Sequence, residues 1–80
     1  MDNVIQLKSL MAEIFECHID DITEVAEINA TIGWDSLSHI NLMMTLTSKG
    51  VPLSPIEIPE ITSYRAIENY ITSNGFQVAE

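Results

Sequence analysis

The sequence predicts an all-α fold, namely a four-helix bundle with a long first loop and a short third helix. The composition favours helices over a β-sandwich, because 46% of the residues are hydrophobic, most of them aliphatic, and only three are glycine. Apolar residues also recur three and four positions apart in several segments, which is the period of a helix. A chain of 80 residues supports one compact core, so residues 1–80 are expected to form a single domain.

The first helix is predicted over residues 3–16. One side of this segment carries apolar residues at helical spacing, namely Val4, Leu7, Met11 and Ile14. Asp2 or Asn3 is expected to cap its start, because short polar side chains satisfy the free N–H groups of a first helical turn.

A long connection is predicted over residues 17–35. Loop-forming residue types dominate it, yet apolar side chains return at intervals and are expected to pin it to the core: Ile19, Ile22, Val25, Ile28 and Ile32. Connections of this length in compact domains often carry function. The residues at its end are therefore candidates for the functional site.

The second helix is predicted to begin almost at Ser36, with Asp35 or Ser36 as its cap, and to end near Lys49 and Gly50. Its apolar residues cover more than half of the circumference, which exceeds what one core face needs. Three of them are expected in the core, with Ile40 at the flank: Leu42, Met43 and Leu46. Two are expected to stay exposed for partners, Leu37 and Met44. The other face is a polar strip: Ser38, Asn41, Thr45, Ser48 and Lys49.

Two shorter helices complete the predicted bundle. Residues 54–57 combine a capping box with proline at the first helical position, and Pro59 limits this third helix to about one turn. The last helix is predicted to begin after a cap at Thr62 or Ser63 and to end at Asn74 and Gly75.

The net charge of the chain restricts the classes of partner that it can bind. Twelve acidic residues against three basic ones give a net charge of −9, which repels nucleic acid and anionic membranes and favours basic protein surfaces. The same acidity also keeps a small protein in solution. The sequence shows no signal peptide or membrane span, so a free-standing cytoplasmic monomer is expected.

Catalytic and metal-binding patterns are absent from the sequence. The single cysteine, Cys17, excludes an internal disulfide, and His18 and His39 belong to no metal-ligand pattern. His39 lies in the apolar arc of the second helix and is expected to be a core or boundary residue. No enzymatic activity is expected, although an acid–base enzyme that uses Asp20, Asp21 or His18 is kept as an alternative.

The strongest motif follows the long loop: Gly33-Trp34-Asp35-Ser36-Leu37, which places a serine at the exposed start of an apolar helix. Together with the acidic chain, the long loop and the short third helix, it resembles the acyl carrier protein family, including its polyketide and peptidyl carrier relatives. The resemblance runs from about Val4 to Ile71 and includes the openings of the last two helices at residues 53–55 and 61–63.

This resemblance implies a bundle of the acyl-carrier type that carries 4′-phosphopantetheine on Ser36. A phosphopantetheinyl transferase would attach this arm from coenzyme A, with its own Mg²⁺, and acyl-loading and acyl-processing enzymes would use the resulting thioesters in fatty acid or polyketide biosynthesis. Asp35 would be a cap and a recognition element. The other motif and recognition positions are Gly33, Trp34, Leu37, Ile40 and Met44.

One feature departs from the family pattern. Carriers of fatty acid synthesis line the second helix with acids, whereas this chain has none between Leu37 and Lys49. Its acids lie in the long loop and around the third helix: Asp20, Asp21, Glu24, Glu27, Glu57 and Glu60. A dedicated pathway is therefore favoured. An aminoacyl or peptidyl carrier, and an interaction module in which Ser36 is only a cap, remain open.

Overall fold

The computed structural model describes residues 3–79. Its elements follow one another as strand β1 (Val4–Gln6), helix α1 (Leu7–Phe15), a single 3-10 turn (Ile19–Asp21), helix α2 (Ser36–Ser48), helix α3 (Tyr64–Ser73) and strand β2 (Gln77–Ala79). None of the helices within this part of the chain is long and apolar enough to cross a membrane.

The prediction of a four-helix bundle is wrong, because three α-helices and a two-stranded parallel sheet make up the described residues. The predicted third helix is a succession of turns over residues 55–60. Two of its backbone bonds span only three residues, from Glu57 N to the Ser54 carbonyl and from Glu60 N to the Glu57 carbonyl, each 3.0 Å. Pro59 has no N–H to donate and disfavours the helical conformation at Ile58, so the first turn does not propagate.

The first helix begins four residues later than predicted, at Leu7. Val4 and Ile5 extend instead and pair with the C-terminal strand, Ile5 opposite Val78. Such β-branched residues fit a strand well once a partner strand is present. Gln6 precedes the helix without a side-chain cap, so the predicted Asn3 cap is wrong, and Asp2 lies outside the described residues.

The predictions for the other two helices are confirmed. Helix α2 begins at Ser36, where Asp35 Oδ1 accepts a 2.9 Å hydrogen bond from Ser38 N. Helix α3 begins after Ser63, whose hydroxyl accepts a 3.2 Å bond from Ala66 N. Both caps satisfy N–H groups that the helix itself leaves free.

The core lies between the three helices, and the long loop closes over it. Its largest fully buried side chains come from the three helices and from two positions in the connections: Trp34, Tyr64, Leu7, Met11, Leu42, Met43, Leu46, Ile67, Ile71 and Val51. Of the five apolar residues expected to pin the loop, Ile22 is buried and Ile28 packs against the core, whereas the expectation is wrong for the three that are exposed: Ile19, Val25 and Ile32. Backbone pairing also anchors the loop, from Ile28 N to the Thr62 carbonyl, at 2.9 Å.

Candidate functional site

Gly33 brings the end of the long loop against the end of helix α1. Its backbone has φ +77°, a conformation that side chains with a Cβ rarely adopt. A Cβ at this position would lie 2.3 Å from the carbonyl oxygen of Phe15 and 2.8 Å from its Cβ. Only glycine fits between the two segments, so the motif requires a glycine here for packing.

Trp34 is a core residue, with 1% of its surface exposed. Its ring stacks on Phe15 at a centroid distance of 5.2 Å, and its carbonyl accepts a 2.7 Å hydrogen bond from Asn29 N. In this conformation a partner protein would not reach the indole ring. The position expected to serve recognition therefore holds the motif loop in place.

His39 joins the motif loop to a distant segment of the chain. Its Nδ1 accepts a 3.1 Å hydrogen bond from Trp34 Nε1, which fixes the proton on Nε2, and Nε2 donates to the Ile58 carbonyl at 2.8 Å. The side chain is 4% exposed. The expectation of a satisfied core residue is confirmed, and neither nitrogen is free to act as a base toward Ser36.

Asp35 is the cap of helix α2. The hydrogen bond from the backbone N–H of Ser38 holds the pKa of this exposed carboxyl below its ordinary value, so the group is ionised at neutral pH. Because the folded pKa is the lower one, the cap contributes fully above the ordinary carboxyl pKa and is lost as the pH falls through the lowered pKa. The sequence left open whether Asp35 or Ser36 caps α2, and in the structure the cap is Asp35.

Ser36 is the first residue of helix α2, and its side chain is exposed. Its hydroxyl has no hydrogen-bond partner among residues 3–79. The first-turn N–H groups have no acceptor within the helix, but those of Ser38 and Leu37 hydrogen-bond to the Asp35 carboxylate, so the partial positive charge of this helix end already faces an ionised group. The exposed Ser36 hydroxyl is therefore open to modification, and His39, whose two ring nitrogens are engaged elsewhere, is not placed to activate it.

An apolar surface extends from Ser36 along helix α2. The exposed fractions are 70% for Leu37, 47% for Ile40 and 66% for Met44, as the surplus apolar arc led us to expect. Next to it lies a groove of about 310 Å³ between α2 and residue 58, lined by Ile40, Met43, Met44, Thr47, Ser48 and Ile58. Sequence reasoning missed Ile58, because the predicted third helix gave no indication of which residue would face α2.

Met44 offers a direct test of this surface. We expect Met44→Glu to leave the free energy of unfolding within about 0.5 kcal/mol of the wild type, because the side chain is exposed. If Ser36 is modified, as the sequence led us to expect, the same change should make the protein a poor substrate for the modifying enzyme. Thermal denaturation and modification assays measure the two effects. Met43→Glu is the matched control: Met43 is 1% exposed, and a buried carboxylate there should unfold the protein. A sharp fall in Tm for Met44→Glu would contradict the expectation.

Residues 52–60 are held from two sides. From α2, His39 binds the Ile58 carbonyl, and from α3 the Tyr70 hydroxyl hydrogen-bonds with the Glu57 carboxylate and lies against the Pro52 carbonyl. The bond to Glu57 raises the pKa of Tyr70, which keeps its hydroxyl protonated. Hydrogen bonds from the side chains of His39 and Tyr70 thus hold residues 52–60 in position, although this segment forms no regular helix.

The residues of the alternative acid–base site form no comparable arrangement. His18, Asp20 and Asp21 are exposed around the 3-10 turn, where Asp21 Oδ2 accepts a 3.1 Å bond from His18 N. Burial, with a smaller effect of Asp21, raises the pKa of Cys17, which makes its thiol a weak nucleophile. Within residues 3–79, no cluster of three or more His, Cys, Asp or Glu side chains is placed to hold a metal ion.

Comparison with known proteins adds no family to this description. No protein-family model matches the chain, and a search among curated proteins finds no match.

Proposed function

We propose that this chain is a carrier protein that receives a 4′-phosphopantetheine arm on Ser36 and presents acyl groups to other enzymes. The observation that carries the proposal is the exposed Ser36 hydroxyl at the start of α2. Because Asp35 performs the capping, this hydroxyl has no structural task in the fold. A serine that was only a cap would be the acceptor for Ser38 N, which favours the carrier over the unmodified interaction module.

The residues around Ser36 suit a phosphodiester at its oxygen. In the modification the Ser36 oxygen bonds to the phosphorus next to the pantetheine, the pyrophosphate bond of coenzyme A breaks, and adenosine 3′,5′-bisphosphate leaves with the electron pair of that bond, while the hydroxyl proton passes to the transferase. The chain itself contributes the exposed acceptor oxygen at the first position of α2. Activation is left to the transferase and its Mg²⁺, since both nitrogens of His39 are engaged elsewhere.

The apolar groove favours an acyl cargo over an aminoacyl or peptidyl one. The arm supplies a thiol that holds the cargo as a thioester. Ile40, Met44 and Ile58 offer an aliphatic chain a surface out of water, whereas a free ammonium group there would lose hydration without finding an acidic partner on α2. We further propose that the protein is a cytoplasmic monomer. Because the polar strip of α2 carries no acid, we also propose that it serves a dedicated pathway and not general fatty acid synthesis.

The direct test is the mass of the intact protein after incubation with coenzyme A, Mg²⁺ and a phosphopantetheinyl transferase of broad specificity. We expect the mass to increase by one phosphopantetheine per chain. If no transferase of several different classes produced an increase, the carrier proposal would be rejected and the interaction module would replace it.

We expect the affinity for a cognate partner to depend only weakly on salt, because Asp35 is the one acid beside Ser36, the exposed α2 residues that follow it are apolar, and the polar strip of α2 is neutral except at Lys49. Binding measured from low to high ionic strength tests this expectation, with Asn41→Asp as a variant that introduces an acid on the strip and should steepen the dependence. A steep loss of affinity in the wild type would move the docking surface to the acidic loop and residues 57–60.

A further inference from the structure

Two buried hydrogen bonds connect the loop that carries Ser36 to residues 52–60. The first runs from Trp34 Nε1 to His39 Nδ1 over 3.1 Å, and the second from His39 Nε2 to the Ile58 carbonyl over 2.8 Å. Among the described residues, His39 is the one polar side chain in the buried set. The connection begins two residues before Ser36 and ends at a residue that lines the apolar groove.

Core stability alone does not account for a histidine at this place. A buried polar side chain that is fully hydrogen-bonded contributes little net stability, and an apolar residue of similar size would serve packing about as well. The two hydrogen bonds instead fix geometry, because each is favourable only over a narrow range of distance and angle between donor and acceptor. The imidazole thereby sets the separation between the start of α2 and Ile58.

We propose that His39 is a positioning residue for the modification of Ser36. It holds Ile58 and its neighbours against α2, so that the transferase meets Leu37, Ile40 and the rim of the groove as one preformed surface. Residues 52–60 lack a regular helix, and their other side-chain hydrogen bond comes from Tyr70 of α3, which bonds to Glu57. Without the link to His39, core packing and the bonds of Tyr70 still hold the segment, but no polar contact fixes Ile58 against α2. This inference rests on the proposed function.

Two amide substitutions separate the halves of the connection. The amide group of Gln reaches the place of Nε2 and can still donate to the Ile58 carbonyl, whereas the amide oxygen of Asn reaches the place of Nδ1 and can still accept from Trp34. Met at position 39 keeps the volume and the helix propensity but loses both bonds. Ile71→Val, a buried change in α3, is the control for a loss of stability that leaves the connection intact.

The kinetic readout is the modification of Ser36 at varied carrier concentration. We expect KM for the carrier to rise about tenfold in His39→Asn and His39→Met, with kcat within about twofold of the wild type, because recognition is lost and the chemistry is not. His39→Gln should restore KM to within about twofold of the wild type, as should Ile71→Val. A purely structural role for His39 would not distinguish Gln from Asn.

The second readout does not involve activity. Trp34 is the only tryptophan in the chain, so the indole N–H gives a single NMR resonance. Because the imidazole ring lies 6.0 Å from the indole ring, any substitution shifts the resonance, so the readout is its solvent exchange: we expect the N–H to stay protected in His39→Asn and to exchange faster in His39→Gln and His39→Met. The two readouts thus report opposite halves of the connection.

Three results would overturn the assignment of His39: an unchanged KM in His39→Met, an equal rise of KM in His39→Gln and His39→Asn, or a fall in kcat at constant KM. If the wild type itself is never modified, the proposed function fails and this inference fails with it. Modification of the wild type together with any of the three results counts against His39 alone.

Discussion

Ser36→Ala is expected to abolish the gain of mass on incubation with coenzyme A and transferase. The substitution removes the only atom to which the arm is proposed to attach. The fold should persist, because the cap of α2 runs from Ser38 N to Asp35 and does not use Ser36. Alanine is also a good helix former at a first helical position. Intact-mass spectrometry and circular dichroism measure the two halves of this prediction.

Ser38→Ala is the matched control for this experiment. It removes a hydroxyl two residues further along the same helix but keeps the backbone N–H that Asp35 accepts from. We expect this variant to gain one phosphopantetheine, as the wild type does. A mass increase that survived in Ser36→Ala would place the modification on another residue and would reject Ser36 as the attachment site.

Gly33→Ala is expected to lower the free energy of unfolding strongly, although it adds only one methyl group. The new Cβ would lie 2.3 Å from the carbonyl oxygen of Phe15, so either the loop or the end of α1 must move. Backbone strain at φ +77° adds to the overlap. We expect the free energy of unfolding to fall by about 3 kcal/mol or more, which urea denaturation can measure.

Gly75→Ala separates the two causes. Gly75 has a similar backbone conformation, with φ +87°, but a Cβ there would meet nothing within 4 Å. Only the strain remains, so the expected loss is about 1 kcal/mol. Equal losses in the two variants would mean that the loop moves away from Phe15 at no cost and that the packing of Gly33 is unimportant.

Local signals predicted those parts of the molecule that depend on neighbouring residues. Asp35 and Ser63 were recognisable as caps because a cap acts within three residues, and both helices begin where these residues indicate. The exposure of Leu37 and Met44 followed from α2 having more apolar residues than one core face needs. Most of the candidate site lies in this region, so its local geometry depends mainly on neighbouring residues.

The errors concern contacts between residues far apart in the chain. Val4 and Ile5 fit a helical pattern as well as a strand, and only the partner strand at residues 77–79 decides between them. The link from Trp34 through His39 to Ile58 joins three segments, and no spacing in the sequence encodes it.

For the third helix the local signals conflicted, since Ser54 and Pro55 favour a helix start while Pro59 prevents its growth.

The small sheet has a consequence for the order of folding. Pairing of Val4 with Gln77 closes a loop that contains nearly the whole chain, with an entropy loss of about 4 kcal/mol for a flexible loop of roughly seventy residues. Strands of three residues each return little of that free energy on their own. The strands therefore meet late, after packing of α1, α2 and α3 has brought them together, and their bonds are among the first to break when that packing loosens.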